Sequence, residues 1–514
     1  MNDKPRVVLH TGPPTAGDVL AVARNGATVE ISAAAAAAVE ESRAHVERLA
    51  RSGEPVYGIS TGFGALATKY IEPAKRRELQ RALIRSHAAG AGSLVETEVV
   101  RAMMFLRLST LCTGRTGVRL GTARAYAALL TAGITPCVPE YGSLGCSGDL
   151  APLAHCALAL MGQGEVTDAS GMRMPAAEAL AAAGFVPVEL EEKEGLALIN
   201  GTDGMLGMLV MAVADLRSLV KVADIGAAMT VEALLGTDRV YSADLQELRP
   251  QPGQAVSARN LMRMLEGSPI IASHRTGDPR VQDAYSLRCA PQVAGAVRDT
   301  LAHAEAVALR EMASAIDNPV VLPDGRIESN GNFHGAPVAY VLDFLAIPLA
   351  DLASMSERRT DRMLDPSRSG GLPPFLAEDP GVDSGHMIAQ YTQASVVTEL
   401  KRLASPASVD SIPSSAMQED HVSMGWSAAR KLRRGIEGLS LVLAIEVLVA
   451  ARALELRRPL EAGAGTAAAQ RCLGDRLAGL DPDRELSVDI EVAHELVREG
   501  GLVAAVEEAI GSLE

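Results

Sequence analysis

The apolar residues of this chain are almost all aliphatic, and this feature restricts the folds open to it more than any other. Hydrophobic residues make up 48% of the 514-residue sequence, whereas aromatic residues make up only 3%. A core must therefore be filled by Ala, Leu, Val, Ile and Met side chains, which is typical of closely packed helices. At roughly 150 residues per domain, the length predicts between two and four domains.

The charge of the chain excludes two classes of partner. With 63 acidic and 48 basic residues the net charge is −15, whereas nucleic acids and anionic membranes are bound through basic surfaces. Residues 1 to 8 show no secretory signal, and the most apolar window, 439 to 451, contains Glu446 and is too short to span a bilayer. The six cysteines form no C-x-x-C pair and no zinc-finger pattern with histidines. We therefore expect a cytosolic protein with reduced thiols and no bound metal.

Helical patterns dominate the chain, and polar loops separate them. Helices are predicted at residues 33 to 51, 73 to 88, 96 to 112, 150 to 162, 205 to 222, 292 to 314, 386 to 403 and 423 to 456. Asp149 is expected to cap the helix that begins at residue 150. Residues 439 to 449 are apolar on nearly all sides, which indicates a helix buried in a bundle. The pattern predicts a mixed N-terminal domain, residues 1 to 215, packed on a helical bundle, residues 216 to 514.

The segment GSLGCSGD at residues 142 to 149 allows three interpretations. A phosphate-binding loop would need a following Lys-Ser/Thr or an acidic ribose partner, and neither is present. A tight turn before a helix is the simplest alternative. In the third, small side chains let the Gly148 nitrogen approach the carbonyl carbon of Cys146. Closing that ring with loss of two waters, one of them from Ser147, would leave an electrophilic methylidene group without any metal or diffusible cofactor.

The segment GSLGCSGDLAPLAH at residues 142 to 155 resembles the signature of the histidine and aromatic amino acid ammonia-lyases, which form 4-methylideneimidazol-5-one (MIO) from Ala-Ser-Gly. Further segments resemble family motifs in the family's order: YGISTGFG at 57 to 64, EGLALINGT at 194 to 202, QDAYSLRC at 282 to 289, DNP at 317 to 319, GNFHG at 331 to 335 and QEDHVSM at 418 to 424. The resemblance covers essentially the whole chain, and the length is that of the shorter, histidine-specific enzymes. It implies a mainly α, L-aspartase-like fold, MIO formed from Cys146-Ser147-Gly148, and a homotetramer whose active sites take residues from three chains.

The resemblance also assigns roles in ammonia elimination, a reaction with an unactivated β-hydrogen and a poor leaving group. An electrophile that bonds the amine makes it a competent leaving group. Tyr57 is expected to be the general base, Tyr285 to lie near the amine, and Arg288 to bind the substrate carboxylate as a planar fork. The other positions carried over are Asn200, which bonds the prosthetic group, and Gln282, Asn318 and Phe333 around it. Each of these residues also has a purely structural interpretation, such as a packed tyrosine, a surface arginine or a turn asparagine.

Two residues bear on the substrate. His87 stands where the histidine-specific enzymes carry a histidine, and Glu419 matches their carboxylate that faces the imidazole. Together they can hydrogen-bond both ring nitrogens, and a phenyl ring would leave them unpaired at a cost of a few kcal/mol. A helix-capping histidine and a solvated glutamate are the alternative. We expect conversion of L-histidine to trans-urocanate and ammonia.

Five positions depart from the family pattern. These are Cys146 for Ala, Ser60 for Asn, Asp203 for Gln, Ala313 for Asn and His386 for Phe. They leave open a lyase for tyrosine or phenylalanine, or a 2,3-aminomutase that returns ammonia to the β-carbon. A catalytically silent helical scaffold is a further alternative, and it predicts an unmodified tripeptide.

Overall fold

The computed structural model describes residues 5–52, 58–62, 68–477 and 483–514, and the fold is mainly helical, as the sequence predicts. The chain divides into two compact units. Unit 1 comprises Met1–Met211, Glu305–Leu342 and Ala407–Arg430, and unit 2 comprises Ala212–Ala304, Asp343–Pro406 and Lys431–Glu514. The division near residue 215 that the sequence suggests stays a prediction.

Unit 1 mixes helices with short strands. Its helices are α1 Ala16–Ala23, α2 Ala33–Ser52, α3 Arg76–His87, α4 Thr97–Cys112, α5 Leu120–Ala132, α6 Leu150–Leu160, α7 Ala176–Ala182 and α8 Glu194–Ile199. Its strands are β1 Arg6–Leu9, β2 Thr28–Ile31, β3 Ala91–Leu94, β4 Thr135–Pro136, β5 Pro139–Tyr141, β6 Glu165–Thr167, β7 Arg173–Pro175, β8 Val320–Val321 and β9 Ile327–Glu328. They form small sheets: β1 pairs in parallel with β2, and β3–β5, β4–β6–β7 and β8–β9 are antiparallel.

Unit 2 is built from helices, and four long helices contribute residues to both units. Those within unit 2 are α10 Ala243–Glu247, α11 Pro252–Leu265, α12 Pro269–Ser273, α13 Tyr285–Arg288, α16 Met387–Leu403, α18 Ala464–Gly474, α19 Leu486–Arg498 and α20 Gly501–Ile510. The four that are divided are α9 Asp203–Ala233, α14 Ala290–Met312, α15 Ala336–Leu364 and α17 Gly425–Glu455. The predicted helices are therefore confirmed, with ends shifted by a few residues and α9 extended to Ala233.

Local signals explain several helix starts. The hydroxyl of Ser32 accepts the Ala35 amide at 3.2 Å in the first turn of α2, the usual N-cap arrangement. In α1, Thr15 and Asp18 form a reciprocal capping box. In α4, every residue from Val99 to Cys112 is buried, so this helix forms the centre of unit 1, where α1 and α5 pack against it.

The apolar stretch of α17 is buried within the single chain. Leu439, Ile445 and Val449 have no exposed surface. The stretch is therefore covered by the chain itself, as the sequence indicates for a helix buried in a bundle. Glu446, which interrupts the apolar run, is buried too, and it is paired with the guanidinium of Arg359.

Within the described part of the chain, two helical stretches are long and apolar enough to cross a bilayer by length and composition, Glu194–Ala233 and Ala336–Leu364. The apolar window of the first is entirely buried inside the protein, as in the core helix of a globular domain. Residues 439 to 451, the most apolar window of the sequence, are not among these stretches.

Candidate active site

The tripeptide Cys146-Ser147-Gly148 lies in the loop between β5 and α6, and glycines define the shape of this loop. Gly148 has φ +73° and Gly145 has φ +66°, a region that L side chains rarely adopt. A Cβ on Gly148 would collide with the backbone of Gly201, and a Cβ on Gly145 would collide with the Ser423 hydroxyl. The loop therefore packs directly against the backbone at residue 201, and no side chain fits at position 148.

Hydrogen bonds tie both ends of this loop together. The Ser143 hydroxyl donates to Asp149 Oδ1 at 2.8 Å, and the Asp149 amide donates to the Gly201 carbonyl at 2.8 Å. The Gly145 carbonyl accepts the Ser423 hydroxyl at 2.8 Å. Among the described residues the Gly148 amide has no acceptor. The Gly148 nitrogen therefore donates no hydrogen bond to the described residues, whereas the residues on both sides of the tripeptide are hydrogen-bonded.

The Asp149 side chain does not cap α6, contrary to the expectation from sequence. Asp149 occupies the N-cap position of α6 without a side-chain cap, and its Oδ2 accepts the amides of Gly204 and Met205, each at 2.9 Å. These amides belong to the first turn of α9, whose donors need such a partner. Complete burial raises the pKa of this carboxyl to about 7. Asp149 therefore fixes the tripeptide to the start of α9.

Asn200 lies immediately before Gly201 and is buried. Its Nδ2 donates to the Asn318 carbonyl at 3.1 Å, while its Oδ1 has no partner within the described part of the chain. The side chain of Asn318 is engaged, since its Oδ1 accepts the Ser329 hydroxyl and the Asn330 amide, each at 3.0 Å. Buried polar atoms are normally paired, so Asn200 Oδ1 is available to accept a hydrogen bond from another group.

A buried charge cluster, which the sequence analysis missed, supports Asn200. The guanidinium of Arg107 donates to the carbonyls of Asn200 and Ile316, each at 2.7 Å, and lies 3.4 Å from Asp203. Burial raises the pKa of the Asp203 carboxyl, and the charge of Arg107 opposes this shift. The only signal in the sequence was a charged residue in the otherwise apolar run of α4.

A second buried ion pair adjoins Asn318. The Lys193 ammonium lies 2.5 Å from the carboxylate of Asp317, and both side chains have no exposed surface. Burial lowers the pKa of Lys193 and raises that of Asp317, and the attraction between the two opposes both shifts. The pair anchors the DNP segment to the residue that precedes α8.

Glu419 contacts the tripeptide directly. Its Oε1 accepts the Ser147 hydroxyl at 3.2 Å, and its Oε2 accepts the Cys146 thiol at 3.1 Å and the Ser414 hydroxyl at 3.0 Å. Burial, followed by the bond to Glu419, raises the pKa of the Cys146 thiol to about 12. A carboxylate is therefore held beside the proposed electrophile, as the motif QEDHVSM suggested.

His87 ends α3 and is half-buried. Its Nδ1 lies 3.0 Å from the Leu83 carbonyl, so Nδ1 carries the proton and Nε2 is the acceptor of the neutral ring. Burial lowers the pKa of His87, and the Leu83 bond and the charge of Glu419 partly offset this effect. The ring is neutral near pH 7, and Glu419 is close enough to influence its charge.

Phe333 is half-buried in a loop that is joined to the tripeptide loop. The Gly335 amide donates to the Gly145 carbonyl at 3.1 Å. His334, next to Phe333, stacks on His421 with ring centroids 5.2 Å apart. The packing of Phe333 on the prosthetic group stays a prediction.

Three of the predicted residues lie in unit 2. Tyr285 is 69% exposed, and the Arg288 guanidinium lies over its ring at 4.6 Å. Among described atoms, Arg288 Nε is buried without a hydrogen-bond partner, and Gln282 is exposed. Tyr57, the expected base, lies outside the described residues.

Unit 1 thus brings together most of the predicted site. Its members are Cys146, Ser147, Gly148, Asn200, Asn318 and Glu419, with His87 within the electrostatic reach of Glu419. A glycine-defined tripeptide with an uncommitted amide and an adjoining unpaired amide oxygen fits an internal ring closure. The same tripeptide faces a carboxylate, which suits a substrate that carries hydrogen-bond donors.

Comparison with known proteins places this chain in a family. The profile of the aromatic amino acid lyases matches residues 15–474. A histidine ammonia-lyase of Streptomyces coelicolor is 64% identical over 510 residues, which cover 99% of each chain. The structure of histidine ammonia-lyase from Trypanosoma cruzi aligns with a TM-score of 0.91 and 37% identity, over 98% of this chain and 96% of that one. Tyrosine aminomutase from Streptomyces globisporus aligns with a TM-score of 0.94 and 36% identity, over 99% and 100% of the two chains.

Proposed function

This chain belongs to the aromatic amino acid lyase family, and we propose that it is a histidine ammonia-lyase that converts L-histidine to trans-urocanate and ammonia. The contact of Glu419 with the side chains of Cys146 and Ser147 carries the proposal, because it sets an imidazole-binding carboxylate beside the reacting group. The 64% identity to an enzyme of that name, against 36% to a tyrosine aminomutase, supports the same substrate.

The electrophile comes from the chain itself. A bond forms between the Gly148 nitrogen and the carbonyl carbon of Cys146, whose oxygen leaves as water, and Ser147 loses its hydroxyl as a second water. The positive φ of Gly148, its uncommitted amide and the absence of room for a side chain there support this assignment. MIO supplies an electrophilic carbon that turns the substrate amine into a competent leaving group.

The remaining residues bind the substrate and move a proton. Arg288 binds the substrate carboxylate, and its buried Nε, which has no partner among the described residues, leaves a donor available for this contact. Tyr57 removes the β-proton, which requires nearby donors or positive charge to lower its pKa from the usual value near 10. Tyr285 lies near the amine, and Asn200 offers its unpaired Oδ1 to the prosthetic group.

Three further positions complete the proposed site. Gln282 and Asn318 bind around the prosthetic group, and Phe333 packs on its ring. The contact between the Gly335 amide and the Gly145 carbonyl supports the placement of Phe333.

Recognition of the imidazole rests on His87 and Glu419. A neutral imidazole has one N–H donor and one acceptor nitrogen, and Glu419 is a pure acceptor for the N–H. His87 completes the contact at the other ring nitrogen. A phenyl ring would leave the Glu419 carboxylate desolvated and unpaired, a penalty of about 1 to 3 kcal/mol or more.

We also propose a cytosolic homotetramer whose active sites take residues from three chains. Exposed apolar side chains on two helices of unit 2 support an assembled state: Phe344 and Ile347 on α15 are 47% and 49% exposed, and Ile388 and Tyr391 on α16 are 57% and 61% exposed. Apolar patches of this kind are typical of subunit interfaces. Sedimentation of the purified chain tests the oligomeric state.

The reaction is tested by adding L-histidine to the purified protein and following trans-urocanate by its near-ultraviolet absorbance. We expect urocanate with the wild type and none with Ser147→Ala, which cannot form the methylidene group. L-tyrosine and L-phenylalanine are compared in parallel. Cinnamate-type products without urocanate would contradict the histidine assignment, and a β-amino acid product would replace the lyase with an aminomutase.

A further inference from the structure

The two oxygens of the Glu419 carboxylate are held by different groups. Among the described residues, Oε1 accepts one hydrogen bond, from the Ser147 hydroxyl, whereas Oε2 accepts two, from the Cys146 thiol and the Ser414 hydroxyl. The backbones of Ser414 and Glu419 also bond to each other, with the Ser414 amide donating at 2.8 Å. The Oε2 side of the carboxylate is therefore anchored from both the tripeptide and its own loop.

The Cys146 thiol is suited to donate a hydrogen bond to Glu419 rather than to act as a nucleophile. Burial and the neighbouring Glu419 raise its pKa to about 12, so the sulfur keeps its proton at physiological pH. A thiolate at this distance would repel the carboxylate, whereas an S–H group donates to it. Alanine, the usual family residue at this position, has no donor to offer.

Ring closure changes the bonding of Glu419 unequally. The Ser147 oxygen leaves as water, so Oε1 loses the one donor that it has among the described residues, while Cys146 keeps its side chain and Ser414 is untouched. A half-buried carboxylate oxygen that has lost a donor favours a ligand that supplies one. An Oε1 without the Ser147 donor thus arises only in the mature protein.

We infer that Cys146 is a positioning residue for substrate specificity. Its thiol, with the Ser414 hydroxyl, holds Glu419 by Oε2, so that Oε1 is left to accept the ring N–H of the substrate after Ser147 has lost its hydroxyl. This inference rests on the proposed function, because it assumes that the ligand ring carries an N–H donor. It assigns the cysteine of the Cys-Ser-Gly tripeptide a role beyond ring closure.

The test compares Cys146→Ala with Cys146→Ser, which restores a donor, and with Cys137→Ala, which removes a half-buried thiol elsewhere in unit 1. Cys146→Ala is expected to raise KM for L-histidine roughly 3- to 10-fold with kcat changed less than about twofold. Cys146→Ser should return KM to near the wild-type value, and Cys137→Ala should change neither constant.

A binding measurement separates this inference from the reaction itself. Imidazole carries the ring without the amine, so its thermal stabilisation of the protein reports only the ring subsite. Its affinity should fall in Cys146→Ala by the same factor as KM rises, and similarly in Ser414→Ala, which leaves the tripeptide intact. If the wild type forms no urocanate, the proposed function fails and imidazole binding alone decides the role of Cys146.

Three results would overturn the inference. The first is a Cys146→Ala protein with the wild-type KM and imidazole affinity, which would show that the thiol does not position Glu419. The second is a Cys146→Ala protein in which kcat falls and KM does not change. The third is a Cys146→Ala protein whose tripeptide keeps both waters by peptide mass, which would place the cysteine in ring closure instead.

Discussion

The tripeptide loop of unit 1 and the apolar stretch of α17 in unit 2 both bury polar groups, but Glu446 in α17 is paired differently from the groups beside the tripeptide. In α17, Glu446 accepts from Arg359 at 2.7 Å and from the Thr230 hydroxyl at 3.1 Å. Beside the tripeptide, Asn200 Oδ1 and the Gly148 amide have no partner among the described residues. Because unpaired buried groups are unfavourable, they persist where chemistry uses them. The pairing of Glu446 suits a structural role, whereas the unpaired groups beside the tripeptide suit the proposed chemistry.

The largest effect is expected from Gly148→Ala. The added Cβ would collide with the Gly201 backbone at a positive φ, so the tripeptide could not keep its shape. Urocanate formation should fall by roughly 1,000-fold or more, as when a covalent catalyst is lost. Gly171→Ala is the matched control, since Gly171 also has a positive φ, of +84°, but has nothing within 4 Å of its Cβ position. Wild-type activity in Gly148→Ala would contradict the close packing described here.

Breaking the pair in α17 should affect stability instead of chemistry. Glu446→Ala leaves the buried Arg359 guanidinium without its partner and should lower the free energy of unfolding by about 3 to 5 kcal/mol, measured by urea denaturation. The double variant Arg359→Met/Glu446→Leu should recover most of that loss. Arg402→Ala, which breaks an exposed pair with Glu399, should change stability little. A Glu446→Ala protein as stable as the wild type would remove the contrast between the two regions.

A smaller effect on stability is expected at Asp149, which belongs to the tripeptide loop but caps the first turn of α9. Asp149→Ala leaves the Gly204 and Met205 amides without an acceptor, and the free energy of unfolding should fall by roughly 2 to 4 kcal/mol. Asp149→Asn keeps an acceptor oxygen and should lose less than about 1 kcal/mol, because it also removes a buried charge. Equal losses in the two variants would show that the charge, and not the acceptor, is what stabilises α9.

The smallest effect concerns His386 of unit 2, which replaces the family phenylalanine. Burial, followed by the charge of Arg452, lowers the pKa of His386 to about 4. His386 binds a proton more readily in the unfolded chain than in the folded one. Its contribution to the free energy of unfolding is therefore fully present above pH 6.5 and is lost as the pH falls toward 4. At pH 5 the loss is roughly 2 kcal/mol relative to pH 7.

His386→Phe and His386→Gln should both remove this pH dependence, measured as the difference in unfolding free energy between pH 7 and pH 5. An unchanged slope in the two variants would assign the pH dependence to other groups. Activity per folded molecule should not change in either variant, since the predicted site does not use His386.

Sequence reasoning predicted the helices and singled out residues that the structure brings together around the tripeptide, but it did not predict the contacts between distant segments. The apolar periodicity of residues 423 to 456 predicted α17, because helix formation depends on neighbouring residues. The motif GSLGCSGD singled out the tripeptide. The capping partners of Asp149 were missed because Gly204 lies 55 residues further along the chain, and the adjacent α6 gave a simpler local interpretation.

The same limit applies to charges. Glu446 stood out in the sequence as a charged residue in an apolar run, whereas Arg107 was not singled out, and nothing nearby in sequence indicated the partners of either residue. Arg107 reaches the Ile316 carbonyl, 209 residues away, and Glu446 reaches Arg359, 87 residues away. Such pairs follow from tertiary packing, so only the folded chain reveals that one supports the site and the other the bundle.

The mass of the peptide that contains residues 146 to 148, isolated from the purified wild-type chain, tests the central claim most directly. We predict a mass lower than the encoded one by two water molecules, and the full encoded mass for the same peptide from Ser147→Ala. A wild-type peptide that retains both waters would mean that the chain makes no electrophile of its own and would contradict the proposed mechanism.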